Sequence, residues 1–485
     1  MAASPDDPRP YSIRVRDLVH GFVYLTGPER DLIQHPLFQR LRHVRQNDVA
    51  FFVYPSLNIS RFEHSLGTAH VAGKIALNLH RGRQWNDYAK AASISPAEFE
   101  QICRLYALLH DVGHLPLSHL FEMAVRDFLA ETAPDTPLAD SLKTFCSDWF
   151  GASSFTKPHE ACGSIVSRTI LDETPNIPPA VRDAVLHLMN HKTLEAQDPL
   201  APIKALLDSE IDADRIDSTA RDGVLAGGEY GNYDIDRLCS ATFLRCQAGE
   251  WGLAYSHKAI GSIEALLLDR CRNHTWIHFH HRVVALKVAL QVLIKELLVA
   301  SAITATTFAA RTSDILALRD DIWLWSLLRE RRTVGSGQEA LNDAARAAVF
   351  HRDGSRVVLL WKHRSEYRAW WHPALRSADM REDTAISTGR RYEQHLSAKL
   401  GVPAFVYVPS FEALGKRAIH LCDDDGNDLD TRLADESILV QSLSNIWGNE
   451  PAFYVVLLNV SANALDGLRE KWVSATAEWI RAGQA

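Results

Sequence analysis

"HDVGHLPLSHLFE", from His110 to Glu122, sets three imidazoles and two carboxylates into thirteen residues directly behind the apolar run "LYALL" (105–109). His110 and His114, four apart, are expected to share a helix face, with Asp111 beside them. Pro116 is expected to end or bend that helix, so that His119 and Glu122, three apart, open a new turn and face together. His110 with Asp111 then offers a nitrogen and an oxygen ligand from adjacent positions. His119 with Glu122 offers an imidazole oriented by a carboxylate, an arrangement suited to proton transfer near neutral pH. One such histidine reads as a satisfied polar residue at a helix end, whereas five groups in this order read as a site.

Two ligands hold a divalent ion weakly, so the search moves outward. Upstream, "SRFEHSLG" (60–67) supplies His64 beside Arg61, Glu63 and Ser65. Downstream, "EIDADRIDSTARD" (210–222) places Asp214, Ser218 and Asp222 on one helical face, with Arg215 and Arg221 nearby. A site drawn from His64, His110, Asp111 and Asp214 would combine two imidazoles and two carboxylates, leaving positions open for water and phosphate. Such mixed ligation accepts one divalent metal ion, Mn, Mg, Fe, Ni or Zn, without selecting among them.

The rest of the chain frames this site. At 485 residues it exceeds what one hydrophobic core usually serves. From about residue 28 to 300 apolar residues recur at three- and four-residue intervals, as in "ERDLIQHPLFQRLRHVRQ", "EFEQICRLYALLH", "SLKTFCSDWF", "PAVRDAVLHLMN" and the long run from Ser262 to Ala300. Beyond about residue 310, strand-like runs "RVVLLW", "AFVYV" and "AFYVVLLNV" alternate with helical segments such as "RRYEQHLSAKL". The expected fold is mainly α: a helical catalytic core in residues 1–310, centred on 12–300, and a smaller α+β C-terminal region in 311–485. The acidic stretch "CDDDGNDLD" lacks calcium-loop ligands, with Leu421 at the first position and Arg432 at the twelfth, and reads as a turn between strands.

Hydrophobic residues make up 46% and charged residues 23%, and no apolar run approaches the length of a membrane span, which excludes a membrane partner. The start, "MAASPDDPRPYSIRV", lacks the basic head and apolar centre of a secretory signal, so a cytoplasmic location is expected. Seven scattered cysteines without a C-x-x-C pair argue against disulfides or a thiolate zinc site. A formal charge of −8 gives no general attraction to nucleic acid, while leaving room for a local basic pocket around an anionic small molecule.

At these residues the chain resembles the HD-domain metal-dependent phosphohydrolases, whose signature is a histidine, a His-Asp doublet and a distant aspartate. More narrowly it is similar to the SAMHD1-like and bacterial deoxynucleoside triphosphate (dNTP) triphosphohydrolases. The matching blocks, in order, are "VRDLVHGFVYLT", "HPLFQRLRHVRQ", "VYPSLNISRFEHSLGTAHVAG", "HDVGHLPLSHLFE", "KPHE", "IDADRID" with "ARD", and "YGNYDIDRL".

The resemblance implies that His64, His110, Asp111 and Asp214 are the metal ligands. It implies that His114, His119 and His159 surround the phosphates, with His119 and Glu122 as the proton-transfer pair; the family commonly has Asp where Glu122 stands. Gln46 matches a glutamine that contacts the sugar 3′-hydroxyl, Arg61 lies in a phosphate-side motif, and Asp222 matches an aspartate near the sugar. Arg215 takes the place of a phosphate-binding lysine, and Arg270 matches a phosphate-binding arginine. The departures cluster around sugar and base: Ser218 and His278 stand where relatives have tyrosines, and Asn47 and Asp48 stand where Leu and Gly are usual.

The implied activity is hydrolysis of a dNTP to deoxynucleoside and triphosphate by water attack at the α-phosphorus, and the family often forms homo-oligomers. The altered sugar surroundings keep open an HD-type phosphodiesterase or phosphatase acting on another nucleotide or a nucleic acid end. A nucleotide-sensing scaffold without turnover is the remaining alternative, and the complete ligand quartet speaks against it.

Overall fold

The computed structural model describes residues 11–131, 158–195, 197–304, 307, 318–330, 338–363, 365–369, 382–408, 418–447 and 453–482. The N-terminal ten residues, the expected helix "SLKTFCSDWF" and Lys157 of "KPHE" lie outside them. The described chain is mainly helical, with three small sheets.

An antiparallel hairpin, β1 (Tyr11–Asp17) and β2 (Gly21–Thr26), leads into the helical core. There α1 (Arg61–Leu79) packs against α2 (Pro96–Leu109), followed by α3 (His119–Glu131), α4 (Pro158–Glu173) and α5 (Ala213–Leu225), which also lies on α1. Local sequence starts these helices where the chemistry needs them. Ser60 and Glu63 cap α1 reciprocally, the Ser60 N–H donating to Glu63 Oε2 at 2.8 Å, which puts His64 in the first turn. Asp212 caps α5, accepting from the Arg215 N–H at 2.7 Å, which does the same for Asp214.

Two glycines set the spacing of the core. A Cβ at Gly67 would lie 1.8 Å from Asp217 Oδ1, so only glycine lets α1 approach α5 this closely. A Cβ at Gly113 would lie 2.2 Å from Gly163 N and from the His159 carbonyl, so the loop after α2 rests directly on α4.

Several expected helices are shorter than their apolar pattern. Pro36 divides the run beginning at Glu29 into helices Gly27–Gln34 and Pro36–Gln39 and a 3₁₀ turn Arg40–His43. Helix α2 stops at Leu109 with His110 as its C-cap, so His110 and His114 do not share a helix face, and Pro116 is not what ends the helix. The long run after residue 260 is two helices, α6 (Ile260–Asn273) and α7 (His281–Val299), joined by a π-helical turn His274–His278.

Hairpin β3 (Thr242–Gln247) and β4 (Glu250–Ser256) follows α5. Beyond residue 310 come α8 (Asp321–Glu330) and α9 (Glu339–Phe350), then β5 (Val357–Leu359), β6 (Ala404–Tyr407), β7 (His420–Cys422), β8 (Asp428–Arg432) and β9 (Tyr454–Leu458). Fully buried β9 is the centre of a sheet flanked by β5 and β6, and Trp361, Phe453 and Trp472 complete its core. The acidic stretch forms the expected turn between β7 and β8. Among the described residues no helix is long and apolar enough to cross a membrane.

The later elements are stitched to the earlier ones. β7 pairs in parallel with β4, and α9 packs on α7. Closest to the opening motif, Asp321 accepts from the Leu117 N–H at 2.6 Å and from the Arg45 N–H at 2.9 Å. Arg40 donates to the carbonyls of Val112 (2.9 Å), His114 (2.8 Å) and Arg319 (3.0 Å). Leu117 and Ser118 hold φ of 52° and 51°, a left-handed conformation costly for side-chain-bearing residues, and these tethers hold the loop in it.

Burial pushes the Asp321 carboxyl up to about 7 from its usual 3.8. The folded state therefore holds this proton more tightly than the unfolded chain. The contribution is complete below about pH 4 and is lost as pH rises through about 7. Asp321→Asn should remove a slope of up to about 1.4 kcal/mol per pH unit. In urea unfolding at pH 5, 6 and 7, the stability difference should move steadily in the variant's favour.

Candidate metal and phosphate site

His64, His110, Asp111 and Asp214 converge from α1, the end of α2 and the start of α5. His64 Nε2 lies 3.0 Å from Asp214 Oδ1 and 3.7 Å from Asp111 Oδ2, and His110 Nε2 lies 3.5 Å from Asp111 Oδ1. The two imidazole rings are 5.2 Å apart.

The outer nitrogen of each ring is engaged: His64 Nδ1 meets Asp217 Oδ2 at 2.8 Å, and His110 Nδ1 donates to the Ala107 carbonyl at 2.7 Å. Both Nε2 atoms are buried and point inward, that of His64 toward Asp214 and that of His110 toward Asp111. Two oriented nitrogen donors facing two carboxylates are a donor set that fits a divalent cation.

The charges explain the protonation of the bare site. Burial disfavours a charge on His64, but Asp214 and Asp217 outweigh it and push the ring up to about 10. Asp214 is held at about 2, mainly by His64 against the cost of burial. Burial would likewise raise Asp111, but Arg61 and the neighbouring histidines hold it well below the usual carboxylate range. Arg61 pairs directly with Asp111 and donates through Nε to Ser118 Oγ at 2.8 Å.

Sequence reasoning missed the supports behind His64. Buried Asp217 accepts from two Arg221 nitrogens at 2.7 and 2.8 Å and contacts His20 Nε2 at 2.6 Å. Arg221 also reaches Asp17 at 2.8 Å, which ties the N-terminal hairpin to the site. The available signal was Asp217 and Arg221, four apart in "DSTAR" and therefore on one helix face.

A second cluster adjoins the first. His119 Nδ1 lies 3.3 Å and His159 Nδ1 3.1 Å from Glu122. The His114 ring stacks on His159 at 4.4 Å, while His114 Nε2 lies 3.2 Å from Asp111 Oδ1, linking the clusters. Burial and Arg61 hold His114 well below its usual value, so it is neutral near pH 7. Burial would raise Glu122, but hydrogen bonds with His119 and His159 hold it below the usual carboxylate range. The His119 side chain is 58% exposed, unlike its partner Glu122 at 9%, and can meet an incoming ligand.

Toward the expected sugar end, the buried Gln46 Oε1 has no hydrogen-bond partner among the described residues. Asp222 accepts from Asn47 Nδ2 at 2.6 Å and lies 3.2 Å from His278 Nε2. Asp48 adopts φ 44°, which accounts for the glycine usual there, and pairs with buried Lys287 at 3.2 Å. Half-buried Ser218 sits on α5 between Asp214 and Asp222. Arg215 pairs with Asp212, and Arg270 lies 3.2 Å from Glu210. Each of the three arginines assigned to phosphate thus also faces a carboxylate of its own chain, and a guanidinium's five donors allow both.

Residues 61–222 match the HD domain family model, a span containing all four converging residues. Uncharacterized protein MJ1154 of Methanocaldococcus jannaschii is 29% identical over 65% of this chain and 54% of its own length. Uncharacterized protein YwfO of Bacillus subtilis is 26% identical over 55% of this chain and 51% of its own. The chain thus spans about half the length of these curated relatives. Human deoxynucleoside triphosphate triphosphohydrolase SAMHD1 is 33% identical over 22% of this chain and 16% of its own. The crystal structure of a hypothetical protein from Aquifex aeolicus shares the fold, with a TM-score of 0.63 at 19% identity, over 95% of this chain and 99% of that one.

The His64–Asp217 contact yields a direct expectation. Asp217→Asn should weaken Mn²⁺ binding by about 10- to 100-fold, because the carboxylate that fixes the ring and raises its basicity is lost. Calorimetric titration of the metal-free proteins measures this, and unchanged affinity would show that the contact is not what prepares His64.

Proposed function

We propose that this HD-domain chain is a metal-dependent dNTP triphosphohydrolase, cleaving a dNTP to deoxynucleoside and inorganic triphosphate by attack of water at the α-phosphorus. The observation that carries the reading is the convergence of His64, His110 and Asp111, with Asp214 3.0 Å from His64, beside the His119–Glu122–His159 cluster, joined by the 3.2 Å contact of His114 with Asp111. The local similarity to named dNTP triphosphohydrolases supports the substrate class.

In this reading His64, His110, Asp111 and Asp214 would hold one divalent ion, which would supply charge neutralisation and lower the pKa of water. Arg61, Arg215 and Arg270 bind the phosphate oxygens through charge-assisted hydrogen bonds. Glu122 holds His119 by Nδ1, which directs the other ring nitrogen to the ligand. From there His119 protonates the 5′-oxygen as its bond to phosphorus breaks, a contribution of about 10²- to 10⁴-fold. His114 and His159 line the phosphate path, and Gln46 offers its unpartnered oxygen to the sugar hydroxyl. The reading carries with it a cytoplasmic setting and assembly into homo-oligomers.

Purified protein with Mn²⁺ or Mg²⁺ should convert a dNTP to deoxynucleoside plus triphosphate, identified by mass, and Asp111→Ala or Asp214→Ala should abolish turnover. Release of pyrophosphate or orthophosphate would defeat attack at the α-phosphorus. A second reading, a phosphodiesterase or phosphatase on another nucleotide or a nucleic acid end, is favoured by the contacts of Asn47 and His278 with Asp222. A substrate panel in which dNTPs stay intact while another phosphate ester is cut would select it.

The charges around His64 also set a pH dependence. His64 keeps its proton up to about pH 10, and a cation must expel that proton to reach Nε2. Mn²⁺ affinity should therefore rise as pH rises from 6 to 9, by up to about tenfold per unit, with proton release detectable as a buffer-dependent binding enthalpy.

A further inference from the structure

The rim around Trp276 plays no part in the chemistry above. Trp276 is 50% exposed, yet it is held firmly. It sits in the middle of the π-helical turn His274–His278, an irregularity frequent at functional sites. The Tyr54 hydroxyl donates to its carbonyl at 2.5 Å. The Tyr230 ring meets the indole edge to face at 5.2 Å, and the Arg272 guanidinium lies 5.9 Å from the indole. Tyr230 in turn lies against Gly228, where a Cβ would come within 2.2 Å of the phenol ring.

The same turn indicates what the rim faces. His278, two residues on, contacts Asp222 at 3.2 Å. Asp222 follows Asp214 by eight residues on α5, about 12 Å at the helical rise. Tyr230, whose ring meets Trp276, also rests on the end of α5: a Cβ at Gly223, the residue after Asp222, would lie 2.6 Å from its carbonyl, so a ligand with its phosphates at the Asp214 end and its length along α5 runs toward this rim. An aromatic face with an arginine beside it is the chemistry that stacks a nucleobase.

We propose that Trp276, backed by Tyr230 and Arg272, is the stacking platform for the nucleobase of the substrate and sets the preference for nucleotides over base-free phosphates. The assignment rests on the reading of the site as a nucleotide hydrolase. Trp276→Ala should raise KM for a dNTP about tenfold or more while kcat changes little, and Trp276→Phe should restore most of the loss. Inhibition by inorganic triphosphate, which has no base, should be equal in all three proteins. An unchanged KM in Trp276→Ala, or an equal loss for inorganic triphosphate, overturns the platform; should the alanine variant not fold, an unchanged dNTP KM in the non-aromatic Trp276→Leu does so.

Should no dNTP be turned over, calorimetric binding of a dNTP with Mn²⁺ separates the two claims. Binding by the wild type that weakens in Trp276→Ala upholds the platform while the hydrolase reading fails. Absence of nucleotide binding by the wild type overturns the platform as well.

Discussion

The arrangement of this protein depends on one buried imidazole ring held between two carboxylates, buried Asp217 and half-buried Asp214. Four aspartates crowd the junction of α1, α2 and α5, and three of them have their own arginine: Arg61 for Asp111, Arg215 for Asp212 and Arg221 for Asp217. Asp214 faces His64 instead. A protonated ring satisfies that arrangement, and under the proposed function a divalent cation would satisfy it too, using His110 and Asp111 as well. Taking charges out of water is costly unless they are paired, so the surrounding fold has to keep these side chains aligned.

Much of this centre was legible in the sequence, because it is written in short local blocks. The His110–Asp111 doublet, His119 with Glu122, and Asp214 in a capped helix are each defined by neighbours within a few residues. The supports were not legible. Asp217 becomes significant only when α5 is laid against α1 at Gly67, and His20 only when the N-terminal hairpin reaches across to it. A phosphate-binding role for the three arginines came from the resemblance alone, whereas their pairing with Asp111, Asp212 and Glu210 is a product of tertiary packing.

The helical class and the strands after residue 310 followed from periodicity, while helix ends did not. Apolar spacing continues through Leu37 and Leu41, but Pro36 and the turn after it break the helix that the spacing suggests. Similarly, the pattern from α6 to α7 is continuous, yet the π-helical turn between them bends the chain and presents Trp276. The parallel pairing of β4 with β7 joins residues far apart in the chain, a relation that no local pattern encodes.

Asp321 accepts from a backbone N–H that lies 204 residues earlier in the chain. A ribosome emits the polypeptide from its N-terminus, so the left-handed corner at Leu117 and Ser118 emerges long before the carboxylate that fastens it. A growing or truncated chain that stops short of this residue carries His64, His110, Asp111 and Asp214 but lacks the clasp. Fastening of the corner is thereby deferred until translation is well advanced.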